Sequence, residues 1–127
     1  MSLFTENSII YKAMGNQDAR DLLEDIVDKD VLVKLDISNI IMTEVRAMKR
    51  RQSISCVYCP NRTEETLKEW AEKNHDARRI LLFLEGNKDD GTKMVQTLHE
   101  TIDHHVHIIY GIKEGTAEGG KLVGVFV

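Results

Sequence analysis

With 127 residues, 42% of them apolar and 30% charged, the chain can bury one core and is too short for two ordinary domains; disordered, collagenous and membrane-spanning classes do not fit this composition. Seventeen Lys and Arg against twenty-one Asp and Glu give a net charge of −4 with no long block of either sign, so nucleic acid is not an expected partner. No stretch reaches the roughly 18 consecutive apolar residues of a membrane helix, and the amino terminus lacks the basic-then-apolar pattern of a secretory signal, so no membrane contact and a cytoplasmic location are expected.

The expected organisation is a single domain over 1–127, with 1–17 as a lead-in. Residues 18–28 place Ala19, Leu22, Leu23, Ile26 and Val27 at helical spacing among acids, which predicts a helix with one buried stripe. A second helix is predicted over about 39–50, with Ile37, Ile41, Val45 and Met48 as its apolar face and Lys49, Arg50 and Arg51 as cations at its carboxyl end. Residues 53–59 alternate with the period of a strand, ended by Pro60, the only proline. A helix then starts at Asn61 or Thr63. Asn61 with Glu64 fits a capping box, and Leu67, Trp70 and Ala71 form the apolar face.

Residues 79–85 are a nearly continuous apolar run, as expected of a central strand covered on both sides. A polar turn is expected from Gly86 to Gly91, followed by a helix carrying Met94, Val95, Leu98 and Ile102. Strands at 106–112 and 121–127, joined by a glycine-rich connection that includes Gly119, finish the chain. This alternation predicts an α/β sandwich (α+β class): a four-stranded mixed sheet packed with helices, built by crossovers and closed by one antiparallel pairing at the end.

Three groups of residues could carry chemistry. Cys56-Val57-Tyr58-Cys59 lies at a strand end before a helix, a place suited to a thiol pair. The odd spacing points the two thiols to opposite faces of a strand, so they are read as partly buried side chains, with redox or metal binding as the alternative. His105 and His107 alternate onto one strand face within reach of a metal ion, yet no further ligand has a spacing that completes four, so a solvated edge is the first reading. Asp36 precedes the second helix, where a carboxylate caps free N–H groups. The loop over 86–91 matches no phosphate or calcium motif.

Taken in order, these pieces resemble the carboxyl-terminal domain of the tubulin/FtsZ family over about residues 20–127. Lys34-Leu35-Asp36-Ile37-Ser38-Asn39 occupies the place of the family's Asn-x-Asp-Phe-x-Asp loop, and His107-Ile108-Ile109-Tyr110-Gly111 fits its Ile-Ile-aromatic-Gly strand. The resemblance implies a four-stranded mixed sheet packed with helices that contacts the next subunit of a filament. It also implies that the loop carrying Lys34, Asp36 and Asn39 is the interaction loop, which in the family places acids at a neighbour's GTP. Here Asn39 stands where the second acid would be and Lys34 where the Asn would be, so stimulation of a partner's GTPase should be weak or absent.

No glycine-rich phosphate loop is present, so the chain by itself should not bind GTP, and no cofactor is expected. The expected function is therefore a non-enzymatic module that associates with itself or with a filament-forming protein. Two alternatives are a thiol or metal protein using Cys56 and Cys59, and a small-ligand-binding oligomer resembling chorismate mutase, for which Arg78, Arg79 and Glu85 are the candidates.

Overall fold

The structure, a computed structural model, describes residues 7–115 and 120–127. Five helices and four strands follow the order α1 (Ile9–Ala13), α2 (Gln17–Asp28), α3 (Ile37–Arg50), β1 (Ser55–Cys59), α4 (Glu64–Lys73), β2 (Arg79–Gly86), α5 (Lys88–Thr101), β3 (His107–Glu114) and β4 (Leu122–Phe126). The strands form one mixed sheet in the order β1-β4-β2-β3. β2 and β3 are parallel, and β4 runs antiparallel to both of its neighbours.

The α/β expectation therefore holds, and the pairing of the last strand differs. One closing antiparallel pairing is expected from the sequence; β4 instead inserts between β1 and β2 and makes two. With Leu122, Val123, Val125 and Phe126 all buried, β4 has the burial of a central strand, in keeping with its place between β1 and β2.

Each face of the sheet carries its own core, because alternate residues of each strand point to opposite sides. On one face Leu81, Phe83, Val123 and Val125 pack with Ile10, Leu23, Ile26 and Ile40 of the first three helices. On the other, Ile80, Leu82, Leu84 and Phe126 pack with Leu67, Ala71, Met94 and Leu98 of α4 and α5. Gly111 of β3 lies where a Cβ would collide with Ile26 and Leu35, so its lack of a side chain lets α2 and the loop before α3 settle against the sheet. Val33 exchanges two backbone hydrogen bonds with Ile112, at 3.0 and 2.8 Å, and covers the outer side of β3 there.

Four further details depart from the sequence reading. The lead-in holds α1, capped by Ser8, whose residues Ile10 and Met14 are buried in the first core. The cap of α4 is Thr63 with Thr66, not Asn61 with Glu64. Gly86 ends β2 and Asn87 caps α5 reciprocally with Asp90, so most of the expected 86–91 turn is the first turn of a helix. The glycine-rich connection falls largely at 116–119, outside the described residues.

The fourth difference concerns α3. Its buried residues are Ile40, Thr43 and Ala47. Ile41, Met42, Val45 and Met48 are 49%, 47%, 38% and 66% exposed, whereas Ile40 is 0% exposed. Ile41, Val45 and Met48 also recur at helical spacing but follow the buried residues by one or two positions, about 100–200° around the helix axis, and so lie on a different, exposed face.

Candidate functional site

The loop before α3 and the outward face of α3 form the candidate site. Asp36 is the N-cap of α3, and its carboxylate accepts from the Ser38 N–H at 3.1 Å. The Asn39 N–H donates to the Asp36 carbonyl at 3.0 Å, which locks the first turn. Lys34, Asp36 and Ile37 line a cavity of about 350 Å³ together with Val27 of α2. Lys34, Asp36 and Asn39 lie at the amino end of α3, Lys34 and Asp36 on the cavity and Asn39 in the first turn, and the cap gives Asp36 a structural role.

From that end, where Ile37 packs against the first core, the exposed apolar face of α3 runs through Ile41, Val45 and Met48, with Met42 beside it. Glu44 fixes α1 alongside: one carboxylate oxygen accepts from Ser8 Oγ at 2.8 Å and from the Ile10 N–H at 3.1 Å. Ile9, between those two donors, is 46% exposed and adds another apolar side chain. Scattered exposed apolar residues are ordinary, whereas these lie side by side on one helix. Arg46, Lys49, Arg50 and Arg51 surround the carboxyl end of the same helix. Arg51 closes it in a left-handed conformation, φ 53°.

The cysteines are not brought together. Cys56 packs against the first core, whereas Cys59 approaches the Thr66 hydroxyl of α4 on the other side of the sheet, with Sγ 4.0 Å from Oγ1. Burial pushes the Cys56 thiol up to about 11, so it is protonated and a poor nucleophile near neutrality. Tyr58, also on the first-core side, is raised first by burial and then by the charges of Asp18 and Glu85.

His105 and His107 are exposed, and no group of three or more His, Cys, Asp or Glu able to hold a metal ion occurs among the described residues. His107 is held below its ordinary value by burial, then by Arg79, Arg46 and His105. His104 instead bonds the Ala77 carbonyl through Nε2 at 2.7 Å.

A groove of about 720 Å³ separates α4 from α5, lined by Arg62, Lys68, Lys93, Glu64 and Glu100 among others. Its charges are mixed. Arg62 is already engaged, with Asp90 at 3.2 Å and with the Glu85 carbonyl oxygen. Of the residues offered for a small-ligand site between subunits, Glu85 accepts from the Lys121 N–H at the carboxyl end of β2, while Arg78 and Arg79 lie at the opposite end of the strand, so the three are not brought together within one chain.

No protein-family model and no curated protein matches this chain. No helix among the described residues is long and apolar enough to cross a membrane.

Proposed function

We propose that this chain is a non-enzymatic interaction module, similar to the carboxyl-terminal domain of the tubulin/FtsZ family, which works in the cytoplasm and docks on a filament-forming protein or a second copy of itself. The observation that carries the reading is the row Ile41, Met42, Val45 and Met48, left open to solvent on a helix whose other side is fully packed. Keeping such a row exposed costs solubility without contributing to the core, which makes sense if a partner covers it. The loop with Lys34, Asp36 and Asn39 lies at the head of the same helix and gives a polar rim to an apolar centre, the usual plan of a protein interface. The four-stranded mixed sheet packed with helices supports the family resemblance. Cys56 and Cys59, on opposite faces, give a thiol-exchange reading no pair to work with.

The test is co-sedimentation of the purified chain with polymerised filaments of the tubulin/FtsZ class, beside sedimentation velocity of the chain alone. Nucleotide-independent binding or self-association is expected, weakened roughly tenfold or more by Met48→Glu, as for a residue central to an interface. A chain that stays monomeric and out of the pellet, or a Met48→Glu variant that binds as well as the parent, overturns the reading.

A further inference from the structure

Arg79 opens β2 on the face that α3 covers, and only 6% of it is exposed. Its Nε donates to Thr43 Oγ1 at 2.6 Å, and that hydroxyl donates to the Asn39 carbonyl at 2.7 Å. Four N–H donors of the guanidinium remain. Arg79 forms no ion pair among the described residues. No further hydrogen bond of its guanidinium is seen among the described residues. A guanidinium this far buried is ordinarily paired with an anion, because desolvation of an uncompensated charge is unfavourable.

The side chains around it are an arginine and histidines, none of them acidic. β3 places His107 directly across from Arg79, and paired residues of parallel strands present their side chains on the same face. Arg46 follows Thr43 by three residues on α3, a spacing that keeps both on adjoining parts of the helix surface. His105 lies two residues before His107, on the same alternation. Two arginines, from β2 and α3, therefore converge on one spot beside the imidazole of His107; Val127, just after β4, meets Arg79 only through backbone hydrogen bonds at 3.0 Å, and no Asp or Glu side chain among the described residues pairs with Arg79 or Arg46.

We propose that Arg79, Arg46 and His107 form a binding site for a compact phosphate-type oxyanion. The planar Arg79 fork would hold two oxygens, as guanidinium groups do with phosphate. Arg46 adds charge from α3, and His107, once protonated, donates from β3. The anion supplies the counter-charge that the buried guanidinium lacks, and its charge reverses the field that now holds the His107 imidazole down. The site is independent of the outward face of α3, so it stands or falls separately from the docking reading.

The experiment follows the His107 imidazole of the purified chain by NMR while chloride is exchanged for inorganic phosphate at constant ionic strength. The groups facing that ring are Arg79 of β2, Arg46 of α3 and His105. Saturable shifts at His107 are expected, with its titration midpoint rising by about one pH unit in bound phosphate. Arg46→Gln should weaken binding about tenfold with an unchanged thermal melt. Arg79→Gln should abolish binding, and should that variant fail to fold, Arg46→Gln still decides. A response that does not saturate, one that chloride reproduces, or an Arg46→Gln variant with parental affinity overturns the site. Glycerol phosphate binding more tightly than inorganic phosphate identifies a phosphorylated small molecule as the source, and equal binding identifies free phosphate; either result supports the site.

Discussion

Replacing Ile40 and Ile41 one at a time by alanine separates the two faces that the sequence of α3 offers to a core. Ile40 is fully enclosed among Ile10, Leu23, Leu35 and the sheet, so truncation loses its transfer free energy and leaves a cavity, costing about 2–5 kcal/mol. Ile41 keeps 49% of its surface in water, so about half of a buried isoleucine's contribution is at stake, roughly 1 kcal/mol. Alanine's better helix propensity returns several tenths of that, at about 0.5 kcal/mol, leaving a net cost well under about 1 kcal/mol. Urea unfolding followed by far-ultraviolet circular dichroism reads both, and the slope should stay constant if only stability changes. An Ile41→Ala cost equal to that of Ile40→Ala would mean that Ile41 belongs to the core and that no apolar face is free for a partner.

Three further outcomes are expected. Asp36→Ala should cost about 0.5–2 kcal/mol in the same melt while Asp36→Ser keeps most of the stability, because a hydroxyl can also accept the Ser38 N–H; equal losses would refute the capping role. Oxidation of the native monomer should produce no intramolecular Cys56–Cys59 disulfide by mass spectrometry, and alkylation of native Cys56 should stay slow at neutral pH and rise only toward about pH 11; a rapid Cys56 reaction at pH 7 would contradict its burial. Burial pushes the Asp25 carboxyl up, but hydrogen bonds from Lys113 at 2.8 Å and from Lys29 outweigh it and hold the group below its ordinary 3.8. A depressed native value means stability that is present above the unfolded value and lost as pH falls through the folded one. Lys113→Met should therefore lose less stability than the parent on acidification below about pH 4, and an identical acid profile would show that the pair is not coupled to folding.

The elements of this fold were largely legible because each is amphipathic on its own period: α2 shows one stripe, β2 one apolar run, and the residues from Cys56 to Cys59 an alternation that correctly separated the thiols. Asp36 as a cap was equally local, since the cap and the N–H it accepts lie two residues apart. In the candidate site the loop Lys34, Asp36 and Asn39 could be named in advance, and the face of α3 could not. That helix carries two faces at helical spacing, Ile40, Thr43 and Ala47 and the more apolar Ile41, Val45 and Met48, and periodicity with hydrophobicity favours the second, which the structure leaves exposed. The face of Ile40, Thr43 and Ala47 is the one turned inward, where Ile40 joins the first core and Thr43 gives the buried Arg79 a hydrogen-bond partner 36 residues away. The insertion of β4 between β1 and β2 was hidden for the same reason: a strand's sequence records that both its faces are buried, not which strands will bond its edges. Side-chain periods and caps are properties of neighbours along the chain, whereas the outward face of α3, the strand order and the gathering of Arg46, Arg79 and His107 are made by contacts between distant segments, and only the tertiary structure decided them.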